Sequence, residues 1–246
     1  MRRFHFSRLQ IVTHLGAIAP LGVMIYDALA GNLSYNPIQD VTFRTGKTAL
    51  VLLVLSLACT PLNTVFGFTE ALKLRRPLGV YAFLYALMHF FIFVGVDYMF
   101  NPSLLYEAIV TKRYALIGLA AFLLLLPLAL TSTKGWQRRL GQSWKKLHKL
   151  VYLAALLVIV HYVWLVKADI RTPLYFGAGI IALLVLRIPA VKRRLPLTWL
   201  RALPRRLVRL APQRKGSAGP TDVRLAPKPA AAVEREPVEE LAPRIG

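Results

Sequence analysis

The sequence is poor in cysteine and in charged residues, and each shortage excludes whole classes of protein. Cys59 is the single cysteine of 246 residues, so the chain has neither a disulfide framework nor the thiolates of a cysteine-rich metal site or iron–sulfur cluster. Charged residues make up 17% of the chain and hydrophobic residues 56%, a balance too apolar for a soluble domain. Most of the chain therefore belongs in lipid, and any metal it binds needs other ligands.

Acidic residues are also scarce, with 11 Asp and Glu against 32 Lys and Arg. A net charge of +21 is compatible with nucleic-acid binding, but these cations lie between apolar runs and in the C-terminal tail rather than on a globular surface. We therefore expect no nucleic-acid partner. No strand-linked Gly-x-Gly-x-x-Gly fingerprint is present, so no dinucleotide-binding module is expected, and no internal repeat is evident.

Six apolar runs predict an all-α integral membrane protein, a bundle of about six transmembrane helices. The runs are Leu9–Leu29, Thr48–Phe68, Leu78–Phe100, Tyr114–Leu130, Leu150–Val166 and Pro173–Ile188. Residues 1–190 would form this domain. Residues 191–211 mix Arg with apolar side chains, which suits a basic segment on the lipid surface, and the Pro-, Ala- and Glu-rich residues 212–246 predict a disordered tail.

Lys and Arg concentrate in alternate connections, which predicts the orientation. They precede the first span and follow the second and fourth: Arg2, Arg3, Arg8, Lys73, Arg75, Arg76, Lys134, Arg138, Arg139, Lys145, Lys146 and Lys149. By the positive-inside rule these connections face the cytoplasm. Both termini are therefore expected to be cytoplasmic, which six spans allow.

Two of the five histidines fall within apolar helices, where an ionisable side chain is costly and indicates function. His89 lies about 18 Å from the cytoplasmic end of its span near Pro77, and His161 lies about 20 Å beyond His148. The two imidazoles thus reach one level on parallel helices, and a haem between helices needs one axial nitrogen from each side. We predict that His89 and His161 are haem ligands. The alternative is that each only hydrogen-bonds a neighbouring helix.

His148 lies at the cytoplasmic mouth of the fifth span among lysines, and several interpretations stay open. It could bind a second haem, with His14 as the remaining candidate partner at that level, contact a propionate or a flavin, or be an interfacial residue. Arg75 and Arg76, at a similar level on the third span, could bind haem propionates or a flavin phosphate through charge-assisted hydrogen bonds. Alternatively, both arginines are only positive charges that set the membrane topology of the chain.

Two local sequences carry a family resemblance: Arg75-Arg76-Pro77-Leu78-Gly79, and the run from Leu140 to Tyr152, which contains Trp144-Lys145-Lys146-Leu147-His148. Over about residues 5–190 the chain resembles the YedZ/MsrQ family, the haem-binding membrane subunit of the bacterial periplasmic methionine-sulfoxide reductase system. His89 and His161 match the haem histidines of that family, and His148 matches its third intramembrane histidine.

The resemblance implies an inner-membrane protein with a ferric-reductase type of helical domain that binds haem b and FMN. Electrons would come from quinol or a cytoplasmic flavin reductase and pass to a periplasmic molybdopterin-containing subunit, which repairs methionine sulfoxide in envelope proteins. Catalytic residues for that reaction are then expected on the partner and not on this chain.

Two other functions compete with this interpretation. A self-contained ferric reductase, or another b-type cytochrome, would share the helical domain, but the residues after Ala190 are too few for a flavin and nucleotide module. A transporter or assembly factor with structural histidines is the other alternative. Transporters often have matched pairs of Gly- or Pro-broken helices, and no such pair is evident.

Overall fold

The computed structural model describes residues 8–166 and 169–188, and these residues are helical with short connections. The helices are α1 (Arg8–Leu29), α2 (Pro37–Phe66), α3 (Glu70–Phe91), α4 (Pro102–Thr111), α5 (Arg113–Leu130), α6 (Lys134–Leu147), α7 (Leu150–Leu165) and α8 (Arg171–Val185). A π-helical turn, Ile92–Asp97, continues α3. The expected all-α architecture is confirmed. The predicted surface segment 191–211 and tail 212–246 lie outside the described residues.

Length and hydropathy identify the membrane-spanning helices. Four helical segments are long and apolar enough to cross a bilayer: α1, α2, α3 with its π-helical turn, and α5. The helices α6 and α7 meet at a bend of 50° and make a fifth span if they are taken together, and α8 is a shorter apolar helix. The six apolar runs fall on α1, α2, α3, α5, α7 and α8. The chain is a multi-pass membrane protein.

Two helices begin well before their apolar runs. At the start of α2, the side-chain oxygen of Asn36 accepts a hydrogen bond from the Gln39 amide at 3.2 Å, and proline occupies the first turn. The helix α3 begins at Glu70, so Pro77 lies inside it and does not open it. Hydropathy locates the part of a helix within lipid, and a helix can begin well outside that part, as α2 does at its Asn36 cap.

The bundle is a ring of five helices with a sixth outside it. The most extensive contacts join α2 to α3 and α5 to α7, while α3 packs on α5, α7 on α8 and α8 on α2. The helix α1 packs on the outside, against α3 and α2. Small side chains allow close approach, since Ala82 on α3 and Ala154 and Ala155 on α7 are almost completely buried.

A tyrosine hydroxyl joins α1 to the ring. The hydroxyl of Tyr85 on α3 donates to the carbonyl of Ala17 at 2.8 Å and accepts from the amide of Leu21 at 3.1 Å. These are the two groups that would otherwise pair with each other along α1, beside Pro20. The helix α1 is therefore fastened to α3 one turn before His89.

An arginine closes the ring at the end of α8. The guanidinium of Arg187 donates one hydrogen bond to the Tyr152 hydroxyl of α7 and another, at 2.6 Å, to the Leu57 carbonyl of α2. The aromatic ring of Tyr152 also lies 5.0 Å from the guanidinium carbon. One side chain thus joins three helices at the end of the bundle.

The chain bends between α6 and α7, at His148 and Lys149. The helix α6 is itself kinked at Gly141, whose backbone has φ 49° and ψ −116°. Its Trp144 side chain donates from Nε1 to the Thr131 carbonyl at 2.9 Å, which fastens α6 to the end of α5. His148 therefore lies at a bend just before α7, and not on one straight helix with His161.

Candidate cofactor site

Two histidines face each other inside the ring. His89 is near the end of α3 and His161 is near the end of α7. Their ring centres are 6.2 Å apart and the ring planes are nearly perpendicular, at 87°. The structure thus brings together the two side chains that the sequence places at one depth.

This separation is the one that a shared metal ion requires. A metal–imidazole bond is about 2 Å long and a ring nitrogen lies roughly 1 Å from its ring centre, so two imidazoles on opposite sides of one ion have centres about 6 Å apart. Within the described residues no group of three or more His, Cys, Asp or Glu could hold an ion. The pair therefore suits a metal whose other ligands come with a cofactor.

Each imidazole is oriented by a backbone carbonyl. The Nδ1 atom of His89 is 2.9 Å from the carbonyl oxygen of Thr42 on α2, and Nδ1 of His161 is 2.7 Å from that of Tyr114 on α5. A carbonyl only accepts, so each Nδ1 carries the proton and donates. The lone pair then lies on Nε2, as a metal-ligating histidine requires.

A glycine lies against each imidazole. A Cβ atom on Gly46 would lie 3.1 Å from Nδ1 of His89, and one on Gly118 would lie 2.7 Å from Nδ1 of His161. Each glycine follows the acceptor carbonyl by one helical turn, on the same helix. Because glycine has no side chain, the imidazole can approach that carbonyl closely enough to form the hydrogen bond.

The two histidines belong to a structural repeat. His89 and Thr42 are separated by 47 residues, and so are His161 and Tyr114. The pairs α2 with α3 and α5 with α7 therefore build the same arrangement of a carbonyl, a glycine and an imidazole. Side-chain identities are too few to reveal this repeat in the sequence, because most positions only need to be apolar.

The histidine pair lies in a cavity of about 990 Å³ between α2, α3, α5 and α7, with α4 at one end. Such a volume is at the upper end of the range for cofactor sites, about 300 to 1,000 Å³. Phe90 of α3 and Phe122 of α5 stack in its wall, with ring centres 4.6 Å apart and planes 8° apart. The wall is mostly apolar, so the cavity presents mainly hydrophobic surface to a ligand.

His148 lies apart from this cavity. Its ring stacks on Trp144 with centres 3.9 Å apart, its Nδ1 is 3.2 Å from the Trp144 carbonyl, and its Nε2 is buried without a hydrogen-bond partner among the described residues. His14 of α1 instead contacts the hydroxyl of Tyr81 on α3, at 3.0 Å. The structure gives His148 a free nitrogen but places it outside the lining of the paired-histidine cavity.

Arg75 and Arg76 also lie outside the cavity lining, near His148. The Arg75 carbonyl accepts from Ser56, and the Arg76 guanidinium donates to Gln137 of α6 at 2.9 Å. Their place in the repeat is informative, because Arg76 precedes His89 by thirteen residues and His148 precedes His161 by thirteen. Arginine and histidine thus occupy matching positions in the two halves.

The residues that orient the two imidazoles were not predicted from the sequence. The acceptor carbonyls belong to Thr42 and Tyr114, and nothing about a backbone carbonyl is visible in a residue type. Gly46 and Gly118 do carry a signal, since a glycine within an apolar helix often marks a close approach. Assigning each glycine to a histidine still required the helix pairing.

Comparison with known proteins agrees with this architecture. Residues 45–159 match the family described as "Ferric reductase like transmembrane component". A "Protein-methionine-sulfoxide reductase heme-binding subunit MsrQ" from Rhodospirillum rubrum is 45% identical over 169 residues, which are 68% of this chain and 81% of the relative. The chain belongs to the MsrQ family.

Two further relatives with the same name extend the match. The protein from Xanthomonas axonopodis pv. citri is 39% identical over 180 residues, covering 71% of this chain and 82% of the relative. The protein from Deinococcus radiodurans is 46% identical over 162 residues, covering 65% of this chain and 79% of the relative. No solved structure matches this chain. The resemblance noted from the local sequences around Arg75 and His148 is confirmed.

Proposed function

We propose that this chain binds haem b between His89 and His161 and carries electrons across the membrane to a methionine-sulfoxide reductase partner. The opposed pair of imidazoles, with ring centres 6.2 Å apart, is the observation that carries the proposal. The names of the relatives, which describe heme-binding subunits of a protein-methionine-sulfoxide reductase, support the same cofactor and partner.

The donor set and the cavity both fit haem. The two imidazoles face each other with ring centres 6.2 Å apart, and each ring is oriented by a hydrogen bond from Nδ1 to a backbone carbonyl, which leaves the lone pair of Nε2 for a metal. The cavity has a volume suited to a cofactor, and its wall is apolar with stacked phenylalanines. A haem supplies one-electron chemistry when bound, and axial imidazoles together with a low dielectric tune its potential.

In this proposal the residues of this chain position the cofactor and surround it with an apolar wall, and they do not make or break covalent bonds. Both histidines would hold the metal of a bound haem, and ligation by two protein side chains would favour electron transfer over catalysis at the metal. Oxygen chemistry on methionine sulfoxide would therefore take place on the partner, a periplasmic molybdopterin-containing subunit. The donor would be quinol or a cytoplasmic flavin reductase, and FMN as an additional cofactor is an expectation of the family resemblance.

We infer that both termini and the α6 end of the bundle face the cytoplasm of a bacterial inner membrane. The support is the excess of Lys and Arg in the first turns of α3 and in α6. The connections at the opposite end, which include α4, have fewer cations. In this orientation the paired histidines lie toward the periplasm, on the side of the expected electron acceptor.

An optical and spin-resonance study of the purified chain, with haem and flavin quantified per chain, tests the proposal. The wild-type protein should show low-spin haem with two imidazole ligands. His89→Ala and His161→Ala should each lose that signal or most of the haem, and His148→Ala serves as a matched histidine control that keeps it. A wild-type chain without haem would refute the function. Loss of the signal in His148→Ala, with retention in His89→Ala, would refute the ligand assignment.

A further inference from the structure

The cavity has charged side chains at one end, on the helices near the two histidines. Among the described residues that line it, Arg44, Lys47 and Asp97 are the charged ones apart from histidine. Both cations belong to α2, on the turns that carry the acceptor of His89 and its neighbouring glycine. The positive charge of the cavity wall is therefore concentrated on one helix, at the level of the imidazoles.

Arg44 is already neutralised. Its Nε and Nη2 donate to the two carboxylate oxygens of Asp40, at 2.9 and 3.1 Å, and its Nη1 donates to Asp27 of α1. Two carboxylates thus surround one guanidinium. This network accounts for the charge of Arg44 and leaves it little capacity to bind another anion.

Lys47 differs, because it takes part in no ion pair or hydrogen bond within the described residues. An ammonium on a membrane-spanning helix is costly, and such residues usually serve a ligand or a partner charge. The side chain is exposed and flexible enough to reach the lipid headgroups instead. Its place in the cavity wall, directly after the glycine against His89, favours a ligand inside the cavity.

We propose that Lys47 binds a carboxylate of the haem held between His89 and His161. The proposal rests on the haem function proposed above and adds the orientation of the cofactor. A haem has an apolar edge and an edge with two propionate carboxylates, and an ammonium–carboxylate contact is a charge-assisted hydrogen bond. Lys47 then directs the carboxylate edge toward α2, whereas Arg75 and Arg76 lie outside the lining of this cavity.

A positive charge beside the cofactor also affects its reduction. The ferrous form has one positive charge fewer than the ferric form, so a nearby ammonium favours reduction. Loss of Lys47 should therefore lower the midpoint potential, while the axial imidazoles keep the iron low-spin. A residue with a merely structural part in folding would not produce this selective change.

The test compares two forms of the cofactor in two forms of the full chain. Wild-type and Lys47→Gln protein, freed of haem in detergent, are each reloaded with haem and with haem dimethyl ester, whose carboxylates are blocked. Wild-type protein should prefer haem over the ester by about tenfold relative to Lys47→Gln, the expected loss of one charge-assisted contact. Lys47→Arg should restore much of the preference, and Lys112→Gln, which changes a cation outside the cavity lining, should match the wild type.

Three results would overturn the proposal. One is an unchanged preference for haem over its ester in Lys47→Gln, and another is an equal fall in potential with both cofactors. The third is a loss of bound phospholipid in Lys47→Gln without a change in that preference, which would assign Lys47 to a lipid phosphate. Lys47 also borders a groove between α1, α2 and α3, where such a lipid would lie. Failure of the wild type to bind haem would instead refute the underlying function.

Discussion

At the scale of single residues, the space beside each imidazole depends on a glycine. Gly118→Ala would place a methyl group 2.7 Å from Nδ1 of His161, closer than non-bonded atoms allow, and Gly46→Ala would place one 3.1 Å from Nδ1 of His89. We therefore expect Gly118→Ala to displace His161 and lose most of the low-spin haem. Gly46→Ala should have a smaller effect, which haem content per chain and the low-spin signal would measure.

Gly179→Ala is the matched control for these two variants. Its Cβ would meet nothing within 4 Å, and the residue lies inside α8. Alanine favours a helix over glycine by roughly 1 kcal/mol, so this change should leave the spectrum intact and slightly raise stability. Equal haem content in Gly118→Ala and Gly179→Ala would contradict the close approach described here.

At the scale of helices, Arg187 should contribute much of the attachment of the short α8. Arg187→Met removes both donated hydrogen bonds and leaves the Tyr152 hydroxyl and the Leu57 carbonyl without them. We expect the free energy of unfolding to fall by about 2 to 4 kcal/mol, since groups left unpaired in a dry interior are costly. Thermal or detergent unfolding of the haem-loaded chain measures this change.

Arg171→Met, in the first turn of α8, provides the comparison for that variant. Its backbone amide already bonds Asp169, and its side chain is exposed. The substitution should change stability by less than about 0.5 kcal/mol. Similar losses in the two variants would indicate that the charge of α8, and not the three-helix contact of Arg187, stabilises the bundle.

Local hydropathy patterns predict the helices of this protein but not the bend between α6 and α7. Apolar runs identified α1, α2, α3, α5, α7 and α8, because hydropathy is a property of each segment. The bend at His148 follows a kink at Gly141 and a hydrogen bond from Trp144 to the Thr131 carbonyl at the end of α5. The rise of about 20 Å from His148 to His161 assumes one straight helix, which the bend contradicts. The ring of His161 nevertheless lies 6.2 Å from that of His89.

At the scale of the whole molecule, the charge asymmetry predicts topology. Reporter fusions after Leu33, Leu104 and Asp169 should be periplasmic, while fusions after Leu72, Gly141 and Ala218 should be cytoplasmic. Activity of a periplasm-specific reporter such as alkaline phosphatase distinguishes the two sets. A reversed pattern would place the paired histidines near the cytoplasm and exclude the proposed direction of electron transfer.

The sequence also predicts how the proposed haem would be reduced. Without a dinucleotide-binding fingerprint, the purified chain should not oxidise NAD(P)H unless a flavin reductase or a quinol is added. Stopped-flow absorbance of the haem measures the rate in each case. Rapid reduction by NAD(P)H alone, in a preparation free of contaminating reductase, would revive the self-contained ferric reductase.

The class of the protein, its membrane helices, its family and the similar depth of His89 and His161 can all be predicted from the sequence. These follow from segment hydropathy, from residue counts along a helix and from a local signature, all of which are readable without knowing which helices touch. The carbonyl and the glycine beside each imidazole become known only from the packing of the helices. The same packing places Lys47, rather than Arg75 or Arg76, in the cavity lining. Those facts depend on the pairing of α2 with α3 and of α5 with α7. Each imidazole contacts a carbonyl 47 residues earlier in the chain, on a different helix, and a local sequence pattern does not show which helices pair.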